Sequence, residues 1–273
     1  MARRTGNGAL LVDQIAYQNR VFRRVPVSAF FSLVFPVMLL VLFELLFSGQ
    51  EIDIGGGVEV ASAQFFTPGL AVFAAASATY TNLAVTVPIA RDEGILKRVR
   101  GTPMPPWVYL AGHVGNAIVV AAIGVALMLT IGVVFYGVEI HPEAAPAMIL
   151  TFVVGVTAFA SLGMAVAAVS PSGSAAPAVA NATLLPVAFI SNVFFPIENA
   201  PDWIATLASI LPLKPFVDAF SIGFDPEATG WAPDWASLAV VAAWGVGGAV
   251  LALRTFRWEP RTGASPRRRR RAR

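Results

Sequence analysis

Six of the ten residues from Arg91 to Arg100 are ionic: Arg91, Asp92, Glu93, Lys97, Arg98 and Arg100. They stand in a chain that is 56% hydrophobic and only 13% charged. Two acids followed within a helical turn or two by three cations suit recognition of a charged partner rather than bond-breaking chemistry. The rest of the sequence supplies little else that reacts. There is no cysteine, which excludes disulfides, thiolate metal sites and thiol nucleophiles. His113 and His141 lack the spacing of metal ligands, so no metal site is expected. The two lysines, Lys97 and Lys214, follow Leu96 and Leu213, so no Gly-Lys-[Ser/Thr] loop exists to cradle phosphates.

The elements that must position this charged island are membrane helices. A mean hydropathy of +0.70 and long apolar runs place the chain among integral membrane proteins. A helix needs roughly 20 apolar residues to cross about 30 Å of hydrocarbon. Six stretches qualify: 27–47, 65–89, 108–136, 146–169, 175–195 and 236–256. The fourth and fifth are separated by the polar turn Ser170-Pro171-Ser172-Gly173-Ser174. Arg3 and Arg4 precede the first apolar stretch, but no small-x-small cleavage site follows it, so it reads as an uncleaved span.

The cations fix the expected orientation. They cluster before the first stretch, within the island and after the last stretch; with six spans, eighteen of the nineteen Lys and Arg fall on one side. Only Lys214 falls on the other, so the first side is expected to be cytoplasmic. A pI near 9.7 distributed in this way orients a membrane protein and does not signal nucleic-acid binding. The expectation is an all-α integral membrane protein with six transmembrane helices and both termini cytoplasmic. Residues 1–26 form an amphipathic elbow, 27–256 the membrane domain, and 257–273 a basic cytoplasmic tail associated with lipid.

Within that plan the island is a cytoplasmic loop between spans 2 and 3. It reads as one short helix over 91–100, with Asp92 and Glu93 in its first turn and Lys97, Arg98 and Arg100 in its last. Ile95, Leu96 and Val99 form its apolar face, and Gly101-Thr102-Pro103 ends it through a left-handed glycine. Gly94 suggests close backbone approach. Two readings stand: a helix lying on lipid, or a docking element for a cytoplasmic partner. The acids favour docking, because an anionic leaflet repels them.

"RDEGILKRVRGTPMPPWVYLAGH" resembles the cytoplasmic-loop signature of the type-2 family of ATP-binding-cassette exporter membrane subunits, including the daunorubicin/doxorubicin-resistance type of actinomycetes. The matching residues are Arg91, Glu93, Gly94, Leu96-Lys97-Arg98 and Thr102-Pro103-Met104-Pro105. "SNVFFPIENAPDWI" and "LPLKPFVDAF" are similar to two later segments of that family. The resemblance implies that Arg91, Asp92, Glu93, Gly94, Lys97, Arg98, Arg100, Thr102 and Pro103 form a coupling helix seated in a separate ATP-binding subunit. ATP and Mg would sit on that subunit, with no cofactor in this chain. It also implies pairing with a second copy or a paralogous permease, a bacterial plasma-membrane location, and export of hydrophobic drug-like or lipid-type molecules.

Spans 2 and 5 are expected to line the substrate path, with Thr79, Asn82, Asn181, Asn192, Phe194, Phe195 and Glu44 as candidate residues. Each has a plainer reading. Thr79, Tyr80, Thr81 and Asn82 suit helix–helix hydrogen bonding; Pro177, Pro186 and Pro196 suit ordinary kinking of span 5; and Glu44 lies within a turn of water. Pro201 and Asp202 suit a helix start and Pro212 a stop, with Trp203, Leu207 and Ile210 on one face, so this segment reads as a short helix on the outer surface. Residues 8–26 are amphipathic and read as an in-plane helix that anchors on lipid or also touches the ATPase. The alternative class is an ion-coupled transporter or channel without an ATPase, for which several buried acids would be needed and only Glu44 is available.

Overall fold

The computed structural model describes residues 6–24, 30–53, 59–102, 104–197, 200–225 and 232–256. Arg3, Arg4, Pro26 to Ala29, Pro103, Glu198, Glu227 and the tail from residue 257 lie outside the described residues.

One helical rod organises the rest. Helix α1 is Asn7–Arg23, and α2 is Phe35–Phe47, entered through a π-helical turn at Phe30–Val34. A two-strand antiparallel ribbon, β1 (Glu51–Asp53) and β2 (Glu59–Ala61), leads into α3, Ser62–Ala76. A π-helical turn, Ser77–Thr81, joins α3 to α4, Asn82–Asp92. The α3–α4 rod is buried along most of its length, from Phe66, Leu70 and Phe73 to Leu83 and Val87. Its π turn is a local widening of the ladder that Thr79 helps satisfy, its hydroxyl donating to the carbonyls of Ala75 at 2.8 Å and Ala76 at 3.2 Å.

Around the rod stand α6 (Pro106–Tyr136), α7 (Ala145–Val169), α8 (Ala176–Phe189) and α11 (Trp235–Thr255). Helix α6 stops where Gly137 takes φ +68°, which lets the Val138 N–H donate to Gly132 O at 3.1 Å. Helix α11 starts on Asp234, whose carboxylate accepts from the N–H groups of Ala236 and Ser237. Small residues set the closest approaches: Gly163 of α7 lies on the Tyr80 backbone, and Gly245 and Gly248 of α11 lie on Ala158 and Leu162. Such contacts replace the hydrophobic driving force that lipid withholds from membrane helices.

Among the described residues, four helices are long and apolar enough to cross a membrane: Ser62–Asp92, Trp107–Tyr136, Pro142–Val169 and Trp235–Thr255. The first and fifth expected spans correspond to shorter apolar helices, Ser32–Phe47 and Ala176–Phe189. At 1.5 Å per residue these reach about 24 Å and about 21 Å, less than the hydrocarbon thickness. Length and composition therefore yield four spans, or five if the bent pair described next counts as one.

That pair corrects the expectation of an outer-surface helix. Helix α9, Asp202–Ile210, does not stand alone: it is followed by α10, Leu213–Ser221, with an 85° bend between them. Leu211 is extended, as a residue before proline is pushed to be, and Pro212 opens α10. The vertex lies level with the middle of α11, with Ile210 exposed and Pro212 buried. Trp244, in the middle of α11, donates through Nε1 to Ile210 O at 2.7 Å. The Phe216 ring presses onto Gly155, in the middle of α7, and stacks obliquely on Phe159 at 5.8 Å. From there α10 returns to the end where α7 begins, so that His141 N donates to Gly223 O at 2.9 Å.

Apart from Lys214, the described cations gather at one end. Helix α1 packs on the first turns of α6 through Gln14 on Gly112 and Ile15 on Gly115, so it is not held by lipid alone. Phe256, beyond Arg254 at the end of α11, packs with Leu96 and Tyr109 beside the charged island. Glu139, Glu143, Asp225 and Asp234 lie at the opposite end, where α6 stops and α7 and α11 begin.

Candidate functional site

The island is built differently from the single helix its pattern suggests. Helix α4 runs on through Arg91 to Asp92, and a separate helix, α5, spans Ile95–Arg100. Gly94 separates them at φ +72°, a conformation that costs an L-residue roughly 1–2 kcal/mol. A Cβ on Gly94 would meet nothing within 4 Å, so the glycine serves the backbone angle and not the close approach expected. Asp92 and Glu93 consequently close α4 instead of opening α5, and no acid occupies the first turn of α5. The helix ends without a left-handed glycine: Gly101 has φ −84°, and the Thr102 hydroxyl donates to Val99 O at 2.7 Å. Leu96 is completely buried with Ala90 and Tyr109, flanked by Ile95, Val99 and Met104. That apolar footing leaves Glu93, Lys97 and Arg98 facing outward.

Arg91 is turned the other way, which corrects its placement among partner-contacting residues. It is only 2% exposed. Its Nη2 donates to Ser170 O at 2.9 Å, and its Nε to Asp92 Oδ1 at 3.3 Å. The second oxygen of Asp92 accepts from Gly173 N at 2.6 Å. Gly173 lies against Ile89, where an added Cβ would come within 2.8 Å of the Cα. The island is thus tied to the turn between α7 and α8.

The expected path residues fall into three neighbourhoods. Asn82 of α4 is partly exposed and Asn181 of α8 exposed, and these two helices pack together. Beside them Tyr80 Oη and Thr183 Oγ1 share a hydrogen bond of 2.5 Å. Thr79 is not on that surface; it is wholly buried and bonded within its own helix.

Asn192, Phe194 and Phe195 lie beyond the end of α8. Asn192 has φ +55°, and its Oδ1 accepts from Ile197 N at 2.9 Å. Phe194 is buried among Phe43, Phe73 and Phe189, with ring centroids 5.1–6.1 Å away, while Phe195 is half exposed. Glu44 forms the third neighbourhood. It is buried near the end of α2, where Ser62 Oγ donates to Oε2 at 3.1 Å, and its Oε1 has no partner among the described residues.

A cleft of about 410 Å³ opens at the acidic end, between the start of α3 and α10. Gln64, Phe65, Asn192, Lys214, Asp218 and Asp225 help line it. Lys214 pairs with Asp218 one turn on, and Gln64 Nε2 donates to Glu139 O at 2.8 Å and Phe224 O at 2.7 Å. Only Asn192 of these was expected. The isolation of Lys214 from every other cation, with an acid four residues later, was a readable signal.

Residues 14–224 match the family described as ABC-2 type transporter. The inner membrane transport permease YadH of Escherichia coli strain K12 is 24% identical over 195 residues, covering 71% of this chain and 75% of that protein. The probable multidrug ABC transporter permease YbhR of the same strain is 22% identical over 184 residues, 66% of this chain and 50% of its own length. The putative transport permease ycf38 of Cyanophora paradoxa is 26% identical, covering 70% of this chain and 66% of that protein.

Proposed function

The chain belongs to the ABC-2 type transporter family as a transmembrane permease subunit, and from that premise we propose that it forms the membrane half of an exporter driven by a separate ATP-binding subunit. The observation that carries this reading is the elbow at residues 91–102. A six-residue helix seated on Leu96 and presenting Lys97 and Arg98 outward, with Glu93 exposed just before it at the end of α4, is a firm, charged contact of the kind an ATPase groove can grip. ATP and Mg would be held by the partner, since this chain has no Gly-Lys-[Ser/Thr] loop.

The permease would act with a second copy or a paralogue, in the bacterial plasma membrane, with six spans and the cationic end cytoplasmic. The gathering of described cations other than Lys214 at one end supports that orientation. The substrates are hydrophobic drug-like or lipid-type molecules, and the exposed polar strip of Asn82 and Asn181 is the surface offered to them. Co-purification tests the core of the proposal: tagged permease should retain an ATP-binding subunit and stimulate its hydrolysis, and a permease that transports without one would overturn it. Reporters fused after Arg261 or inside 91–100 should be cytoplasmic, and reporters at 55–57 or Glu227 external.

A further inference from the structure

Helix α5 is too short to carry a displacement far by itself; what it is fastened to decides where a push from the ATPase goes. One attachment is covalent, through Glu93 and Gly94 into α4. Leu96 also seats it against Tyr109 and Phe256, and the end of α4 to which it is joined is itself tied to residues about eighty positions away, where Arg91 and Asp92 grip Ser170 and Gly173. A guanidinium at 2% exposure has little water to turn to, so losing the Ser170 or Asp92 partner is far costlier than at a surface. The 2.6 Å bond from Gly173 N to an ionised carboxylate belongs to the strong, charge-assisted class. Gly173 against Ile89 excludes slack between the two segments. Ser170–Ser174 leads directly into α8, which is tied to the rod again by the Tyr80–Thr183 hydrogen bond.

We propose that Arg91 and Asp92 are positioning residues that lock the elbow to the turn before α8, so that the elbow, α4 and α8 move as one body when ATP is bound. The proposal rests on the coupling reading above and deepens it. The path then opens between this body and its neighbours, not between α4 and α8.

The chain has no native cysteine, so spin labels at Gly101→Cys and Ser174→Cys, both exposed and outside the charged docking face, are the only ones it carries and report the elbow-to-turn distance. In the complex with its ATP-binding subunit, the distance distribution should be the same without nucleotide and with Mg-ATP trapped. Asp92→Ala on that background should broaden it. Arg91→Gln should lower transport per ATP hydrolysed by about tenfold, the scale of one charge-assisted hydrogen bond, and Arg91→Lys should recover part of that loss. A complex that assembles and hydrolyses ATP while the two labels shift independently overturns the latch and leaves the coupling reading standing. Failure of the wild-type chain to bind any ATP-binding subunit overturns both.

Discussion

At the cationic end, the rod meets its neighbour through a guanidinium, a carboxylate and two backbone groups of a polar turn. Deeper in the bundle, α10 meets α7 through the Phe216 ring pressed onto Gly155, and Ile210 at the vertex accepts one indole bond from Trp244 of α11. Packing of the second kind resists gradual displacement, because interiors at crystal-like density do not deform continuously. Directional polar contacts of the first kind join two bodies at a few points and can be disconnected one at a time. The α10 seat is therefore a stiff, packed closure, and the cationic end a linkage.

The sharpest way to break that contrast is Gly155→Val. The new side chain would occupy the space of the Phe216 ring, so the α10 arm must leave its seat. Overpacking of this kind costs about 2–3 kcal/mol, the largest effect expected of these substitutions. Thermal unfolding in detergent should fall markedly while the isolated elbow peptide bonds are untouched. A variant as stable as the parent would mean that α10 is as adjustable as the elbow.

Gln64→Leu should follow, at about 2 kcal/mol, as the two bonds Gln64 donates and the one it accepts from Glu139 N are lost together. Limited proteolysis near Phe224 should accelerate, since Gln64 fastens that end of the pair to the start of α3. Unchanged cleavage would place the closure entirely in the Phe216 contact.

Gly94→Ala sharpens the other side of the comparison. Nothing surrounds the new methyl, so the cost is the backbone angle alone, about 1 kcal/mol. Stability should drop slightly, and the effect should be the same for Ala and for Leu. A much larger loss with Leu would reinstate the close approach that the sequence pattern suggested.

Much of this arrangement is legible in the chain. Apolar runs mark where α3–α4, α6, α7 and α11 lie, because burial in lipid leaves a long unbroken signal. Among the described residues, Arg20, Arg23 and Arg24, the island and Arg254 mark a common end. Local patterns failed where a tertiary partner decided the outcome. Arg91 and Asp92 look like the opening of a helix, yet Ser170 and Gly173 claim them. Residues 202–210 carry the same apolar face whether they lie on a surface or turn into the bundle, and only Gly155 and Trp244 distinguish the two. Thr79 and Asn82 are three residues apart, but the π turn between α3 and α4 sends one inward and leaves the other partly exposed.

Glu93→Lys has the smallest effect on the fold and the most specific consequence for function. Glu93 is exposed and caps the C-terminal end of α4, where its carbonyl accepts from Arg98 Nη2. A cation suits that end of a helix dipole better than an acid, so stability should hold or rise by about 0.3 kcal/mol. The sign matters, because it separates folding from docking. If the elbow lay on anionic lipid, the added charge would strengthen that contact and transport would persist. On an ATPase groove, reversing one outward charge removes a favourable pair and sets like charges together, which should weaken retention of the ATP-binding subunit about tenfold or more. Stable protein with normal retention and normal substrate-stimulated hydrolysis would remove Glu93 from the contact and leave Lys97 and Arg98 to carry it.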